Sequence, residues 1–98
     1  MTYKFLPKTE EELDKAIWYY EKCQIGLGKK FTIEIFNSVE NILLFPRAWS
    51  KTENECRRIL IKRFPYGIIY SIEKEFILIV SVMNLHRKPY YWKNRIKK

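Results

Sequence analysis

Two stretches of the chain place apolar residues three and four positions apart, which is the spacing of one face of an α-helix. Glycines between the stretches predict a tight connection, and Pro46 ends the second one. The pattern therefore predicts two amphipathic helices in a hairpin whose apolar face must be covered. The apolar positions are Leu13, Ala16, Ile17 and Tyr20 in the first helix and Phe31, Ile35, Val39, Ile42 and Leu43 in the second.

A short strand and a helix start are predicted ahead of this hairpin. Residues 3–6 alternate weakly between apolar and polar types and are stopped by Pro7, which cannot donate a ladder hydrogen bond. Thr9 and Glu12 have the spacing of a capping box, in which the hydroxyl accepts from the amide three residues on and the glutamate reaches back. We therefore expect an edge strand and then a helix that begins at Thr9.

Three stretches after the hairpin have the composition of β-strands. They are residues 57–63, residues 68–72 and the almost wholly apolar residues 76–83. The short links between them predict antiparallel pairing, whereas residues 47–55 are mostly polar and indicate a loop. The chain is thus expected to form a single α+β domain, residues 1–98, with two layers: an N-terminal helical hairpin packed on a small, mostly antiparallel three- to four-stranded sheet.

Side-chain parity gives the first of these three strands two different faces. Ile59 and Ile61 fall on one face, and Arg58 and Lys62 fall on the other. If the isoleucines pack against the helices, the two cations stand on the opposite, open face of the sheet.

The net charge of +8 lies entirely in the second half of the chain. Residues 1–49 hold seven basic and seven acidic residues, whereas residues 50–98 hold twelve basic and four acidic ones. The C-terminal tail, His86 to Lys98, carries six Lys or Arg, no acid and three consecutive aromatic residues. Because cations attract phosphate and aromatic rings stack on bases, the pattern indicates a polyanionic partner, either nucleic acid or an acidic protein.

The remaining composition excludes several classes of protein. Cys23 and Cys56 are too few to cross-link the fold and are interpreted as small buried hydrophobes in a reducing compartment. No metal-ligand spacing or phosphate-binding glycine loop is present, so no metal and no cofactor are expected. The N-terminus lacks the apolar core of a signal peptide, and no apolar run approaches a membrane span. A cytoplasmic protein with no membrane partner is expected.

The candidate functional residues form a constellation on the open sheet face, at the strand end and in the tail. Structural roles are also possible for these residues. The strand cations could simply form a solvated sheet face, and Trp92 could anchor the tail to the core. The set comprises Arg57, Arg58, Lys62, Arg63, Tyr66, His86, Arg87, Lys88, Tyr90, Tyr91, Trp92, Lys93 and Arg95.

Two runs in this constellation resemble the RelE/ParE superfamily, the toxins of bacterial type II toxin–antitoxin systems. The runs are residues 57–70, which contain Phe64-Pro65-Tyr66, and residues 86–95, which contain His86, Pro89 and Trp92 at fixed spacing. Residues 16–20, 27–28 and 46–49 also match positions typical of the group. The ParE-like branch resembles the chain more closely in its turn and tail. The resemblance implies the same helical hairpin on a small antiparallel sheet, and a cognate antitoxin that covers the basic surface with an acidic or amphipathic segment.

The resemblance implies two targets, and both stay open at this point. A ParE-like toxin would inhibit DNA gyrase without catalysis. A RelE-like toxin would be a ribosome-dependent, metal-independent mRNA endoribonuclease, which needs proton transfer and cations around the phosphate. A third interpretation is a non-toxic nucleic-acid-binding module. The implied catalytic residues, for a nuclease only, are Arg58, Lys62, Arg87, Tyr90 and Tyr91; the implied target-binding residues are Arg57, Arg63, His86, Lys88, Lys93 and Arg95; the structural anchors are Phe64, Pro65, Tyr66, Tyr70 and Trp92.

Overall fold

A computed structural model describes residues 1–96 and places two helices on one face of a five-stranded sheet. The strand order is β1-β5-β4-β3-β2, in which β1 runs parallel to β5 and every other pair is antiparallel. The last two residues, Lys97 and Lys98, which the charge count includes in the tail, lie outside the described residues. In chain order the elements are β1 (Thr2–Phe5), α1 (Pro7–Cys23), α2 (Leu27–Leu44), β2 (Ser50–Lys51), β3 (Arg57–Leu60), β4 (Tyr66–Ile72) and β5 (Phe76–Asn84), followed by a 3₁₀ turn over Tyr91–Arg95.

The predicted α+β architecture is confirmed, with one more strand than the sequence indicated. The additional strand is β2, a two-residue strand inside the stretch predicted as a loop, which pairs with β3. Strand β3 is shorter than predicted and ends at Leu60. Arg63 adopts a φ of 69°, which breaks the extended backbone, and the amide of Ile61 donates to the carbonyl of Tyr66 at 3.1 Å across the turn. Lys62 and Arg63 therefore lie in a turn and not on a sheet face.

The predicted capping box at the start of α1 is wrong. The helix begins at Pro7 with Leu6 as its cap residue, and no side chain caps it. Thr9 is fully buried and donates its hydroxyl to the carbonyl of Val80 at 2.5 Å. Glu12 also points to the sheet instead of back along the helix. Its carboxylate accepts a hydrogen bond from the backbone amide of Val82 at 2.9 Å. Both residues thus join α1 to β5.

Glu21, near the end of α1, caps the start of α2. Its carboxylate accepts from the amides of Gly26 and Gly28 at 3.0 Å, which satisfies free N–H groups at the start of α2. Gly26 has a φ of 89°, as a tight helix-to-helix turn requires. A side chain at Gly28 would place its Cβ 2.9 Å from the carbonyl oxygen of Ile17. These glycines bring α1 and α2 into close contact over the sheet.

The sheet is covered on both faces, whereas the sequence predicted one open face. The larger core lies between the helices and the sheet and includes Phe31, Ile35 and Tyr70, all fully buried. On the other face a smaller core forms around Trp92, which packs with buried residues of β4 and β5 and with Cys56. The tail therefore folds back over part of the face that the sequence left open.

Strand β5 carries a β-bulge next to the N-terminus of α1. Ile69 pairs with Ser81 and Tyr70 pairs with Ile79, so Val80 has no partner in β4. The carbonyl of Val80 accepts instead from the Thr9 hydroxyl and from Arg95 Nη1, the latter at 3.2 Å. The bulge turns these β5 backbone groups toward α1 and the tail.

Candidate functional site

A large groove lies between the N-terminal half of α1, the end of β5 and the tail. Its volume is about 990 Å³. Apolar and aromatic side chains line it together with charged ones from α1 and the tail. Its lining includes Lys8, Glu12, Lys15, Tyr66, Arg87 and Tyr91.

Glu12 is the centre of a hydrogen-bond network at the base of this groove. Its Oε1 accepts from the Ser81 hydroxyl at 2.9 Å and from Arg95 Nη1 at 2.8 Å, in addition to the Val82 amide. Its Oε2 accepts from the hydroxyl of Tyr91. The side chains of Arg95 and Glu12 are only 15% and 12% exposed, so this ion pair is largely desolvated. One carboxylate thereby joins α1, β5 and the tail.

Tyr91 is held in its neutral form by this environment. Burial, and then the hydrogen bond that its hydroxyl donates to Glu12, raise the pKa of Tyr91 to about 12. Burial also raises the pKa of the neighbouring Tyr66, against the opposing effect of a hydrogen bond with Asn84. Neither phenol is a ready proton acceptor at neutral pH.

Arg87 lies at the mouth of the groove, above this network. Its guanidinium carbon is 3.9 Å from the centre of the Tyr91 ring, a cation–π arrangement, and the residue is exposed. Glu12 therefore orients Tyr91, and the ring of Tyr91 supports Arg87. The guanidinium edges stay available to an anion from outside.

A second, small pocket of about 200 Å³ lies on the other face of the sheet. Arg58 and Tyr90 both line it, together with Lys51, Pro89 and Trp92. Tyr90 adopts a φ of 65° and is about half exposed. This pocket combines two cations and a phenol at the edge of the small core.

The structure divides the five residues implied as catalytic between separate places. Arg58 and Tyr90 line the small pocket, and Arg87 and Tyr91 line the groove. Lys62 lines neither cavity and is exposed in the turn after β3. These residues do not converge on one phosphate-sized position.

The residues implied as target-binding are also dispersed. Two carry structural contacts: Arg57 Nη1 donates to the carbonyls of Arg47 and Trp49 at 3.1 and 2.7 Å, and Arg95 is paired with Glu12. Lys93 lies 3.9 Å from Glu53 in an exposed ion pair, which is a weak interaction. The other three, Arg63, His86 and Lys88, are exposed.

The five predicted anchors differ in burial: Tyr66, Tyr70 and Trp92 are buried, Phe64 is half-buried and Pro65 is exposed. Phe64 packs its ring edge-on against Tyr20 and Phe31, with centroids 4.8 and 5.1 Å away. Tyr70 is fully buried and donates its hydroxyl to the carbonyl of Pro46 at 2.5 Å. The carbonyl of Pro65 accepts from the Leu85 amide at 2.8 Å, and Tyr66 and Trp92 are buried in the larger and the smaller core.

Sequence reasoning missed Glu12 and its partner Ser81. The spacing of Glu12 from Thr9 fits a capping box, so the local pattern offered a sufficient explanation for an acid at that position. Its true partners, Ser81 and Arg95, are 69 and 83 residues away along the chain. The one signal in the sequence was the surplus of basic residues in the second half of the chain, with which an acid of the first half could pair.

The structure describes residues 1–96, and two kinds of feature are absent from that range. That range contains no group of three His, Cys, Asp or Glu side chains arranged to hold a metal ion. None of its helices is long and apolar enough to cross a membrane. Cys56 is buried as expected, whereas Cys23 is exposed at the end of α1, contrary to expectation.

Comparison with known proteins gives a family match and a structural match. The family described as the ParE toxin of the type II toxin–antitoxin system parDE matches residues 3–89. A chain of the chromosomal ParDE toxin–antitoxin system from P. aeruginosa superposes with a TM-score of 0.72 at 20% identity, and covers 88% of this chain and 97% of its own length. That identity supports a shared fold only. No curated protein sequence matches significantly.

Proposed function

Since the chain belongs to the ParE toxin family of type II toxin–antitoxin systems, we propose that it arrests growth by binding and inhibiting DNA gyrase. A cognate antitoxin, which membership of the family implies, neutralises it. The exposed Arg87 and the basic residues around it form the contact surface for the target. No covalent chemistry is required of the toxin.

The observation that carries this proposal is the separation of the residues implied as catalytic. Metal-free cleavage of RNA needs a proton acceptor, a proton donor and cations around one phosphate. Here Arg58 and Tyr90 are in the small pocket, whereas Arg87 and Tyr91 are in the groove. Tyr91, with its pKa raised to about 12, donates to Glu12 and is not positioned as a base. This arrangement supports a toxin that acts by binding.

Induction of the chain in a bacterial host tests the proposal. We expect growth arrest that is relieved by co-expression of the product of the adjacent reading frame. The first lesion should be a DNA damage response with intact mRNA. Normal growth on induction would contradict the toxin assignment, and prompt loss of translation with cleaved mRNA would contradict the gyrase target.

The endoribonuclease remains a second candidate because the small pocket brings Arg58, Lys51 and the Tyr90 phenol together. Two variants separate the candidates. If gyrase is the target, Arg87→Ala abolishes toxicity and Arg58→Ala leaves it largely intact. Loss of toxicity in Arg58→Ala and Tyr90→Phe, with Arg87→Ala still toxic, would favour cleavage in the small pocket. A chain that binds nucleic acid without arresting growth would be the non-toxic module.

A further inference from the structure

We propose that the chain forms a symmetric dimer in which the exposed face of α2 packs antiparallel against α2 of a second copy. The inference depends neither on the gyrase target nor on an antitoxin, since it concerns only how the chain meets itself. It assigns a partner to a surface outside both cavities: among the described residues, none from α2 lines the groove or the small pocket.

The exposed face of α2 carries large apolar side chains in line. Leu44 is 67% exposed, and Ile25, just before the helix, is 92% exposed; Ile33 and Phe36 between them are exposed as well. Single exposed apolar residues are ordinary on a protein surface, but four along one side of a helix are typical of a helix that packs on that side too. These four and the two charged residues at the same spacing of three and four form the α2 stripe: Ile25, Lys29, Ile33, Phe36, Glu40 and Leu44.

The order of residues in the α2 stripe is complementary to itself. Read from either end, the stripe runs apolar, charged, apolar, and its two charges are opposite in sign, Lys29 in one half and Glu40 in the other. A two-fold axis between antiparallel copies sets Lys29 of each copy opposite Glu40 of the other. The same register aligns the apolar residues in two kinds of pair: Ile33 with Phe36, and Ile25 with Leu44.

The two charges of the α2 stripe lack a partner in their own chain. Neither Lys29 nor Glu40 forms an ion pair within 4.0 Å among residues 1–96. Lys29 also lies in the first turn of α2, which holds no acidic residue. A cation there is unfavourable, because it lies at the positive end of the helix dipole. A carboxylate from a second copy would offset that placement, and the symmetry of the pair provides one for each lysine.

The net charge of the chain does not oppose this contact. The excess of +8 lies in residues 50–98, whereas α2 contains two lysines and two glutamates. The middle of α2 lies over β1, since the ring of Phe36 is 6.5 and 6.1 Å from those of Tyr3 and Phe5. Strand β3, with its two arginines, is three strands further along the sheet, about 14 Å away. That distance exceeds the screening length of about 8 Å at physiological salt.

A second copy fits the α2 stripe better than a partner with one sign of charge. A polyanion such as nucleic acid would be repelled by Glu40, and a basic surface would be repelled by Lys29. A second copy supplies both charges in the required order. Because one pair of helices makes a small interface, the dimer should be weak and reversible, with a Kd of about 1–100 μM.

Analytical ultracentrifugation of the refolded full-length chain measures this association. Lys29→Glu should weaken dimerisation about tenfold or more, because it sets two carboxylates opposite each other at both charged contacts. The substitution lowers the net charge from +8 to +6, so the smaller overall repulsion would by itself strengthen association. Lys74→Glu, at an exposed position before β5, makes the same change in net charge and should not weaken dimerisation.

Mixing two variants separates the charged contact from any effect on folding. Glu40→Lys alone should also weaken dimerisation about tenfold, since it sets two cations opposite each other. An equimolar mixture of Lys29→Glu and Glu40→Lys has opposite charges at both contacts of the mixed dimer, and should associate within about threefold of the wild type. Loss of folding could not be reversed in this way, and circular dichroism checks each variant directly.

The apolar part of the α2 stripe is tested by Ile33→Asp, which should reduce dimerisation at least about tenfold. Leu60→Asp is the matched control, since Leu60 is 55% exposed against 49% for Ile33 but lies on β3, and it should leave dimerisation unchanged.

A chain that stays monomeric up to about 0.5 mM would overturn the inference, even if the product of the adjacent reading frame then covers the stripe. A dimer that Lys29→Glu and Ile33→Asp leave intact, or a mixture no tighter than its components, would overturn it as well. Growth arrest and gyrase inhibition are measured separately, so failure of this inference and failure of the proposed function are distinguishable.

Discussion

Replacing Glu12 by Gln should destabilise the fold strongly, because its carboxylate is only 12% exposed and joins α1 to β5 and the tail. The substitution keeps the size of the side chain but removes the charge that pairs with Arg95 at 2.8 Å and accepts from Tyr91. It leaves the guanidinium of Arg95, 15% exposed, without its carboxylate. The tail would then lose its main link to α1.

The size of the effect follows from the burial of the pair. Removing one partner of a fully buried ion pair costs about 3–5 kcal/mol, and partial solvent exposure lowers this to about 2–4 kcal/mol here. For a domain of this length that loss corresponds to a fall in Tm of roughly 10–25 °C. Glu11→Gln, one residue earlier and exposed, makes the same change in charge and should stay within about 0.5 kcal/mol of wild type.

Urea unfolding followed by circular dichroism measures the free energy of unfolding of each variant. Combining Glu12→Gln with Arg95→Gln should cost less than the sum of the two single changes, with a coupling energy of about 1–3 kcal/mol. If Glu12→Gln is as stable as Glu11→Gln, or if the two changes simply add, the network does not hold the tail and the orientation of Arg87 needs another explanation.

Three further predictions concern the scaffold and its tyrosines. Gly28→Ala should lower the free energy of unfolding, measured with urea, by about 1–3 kcal/mol, because its Cβ would lie 2.9 Å from the backbone oxygen of Ile17. A change below about 0.5 kcal/mol would show that the helices can separate freely. Tyr70→Phe should cost about 1–2 kcal/mol through loss of the hydrogen bond to the Pro46 carbonyl, and an unaltered Tm would contradict that role. Alkaline titration by ultraviolet absorbance should find two phenols with a pKa of about 12, and Tyr91→Phe should remove one. Because both pKa values are raised in the folded state, the two neutral phenols contribute fully to stability below pH 10, and this contribution is lost as the pH rises toward 12. A free energy of unfolding that stays constant across that range would refute the assignment.

The helical hairpin and strands β3, β4 and β5 could be predicted because their signals are local. Stripes such as Phe31, Ile35 and Val39 repeat within one element, and the parity of Ile59 against Arg58 is a property of one strand. The same parity assigned Arg58 correctly to the face away from the helices. Local periodicity therefore determines which face each element buries.

The candidate site could not be predicted to the same extent because its contacts join distant parts of the chain. Glu12 fits a local capping pattern, but its carboxylate accepts from four donors in the sheet and the tail, namely Ser81, Val82, Tyr91 and Arg95. Strand β2 has only two residues, too few for a periodic signal. Arg95 was predicted to face a partner from its place in a basic tail, but it is paired internally with Glu12 because Trp92 holds the tail against the sheet. In each case a tertiary contact overrode the local pattern.

The most direct test of the central claim is a supercoiling assay with purified DNA gyrase and the refolded chain. We expect the wild-type chain to inhibit gyrase, Arg87→Ala to lose inhibition while retaining its fold by circular dichroism, and the product of the adjacent reading frame to restore gyrase activity. Undiminished supercoiling at concentrations of the chain that cleave mRNA on ribosomes would contradict the account.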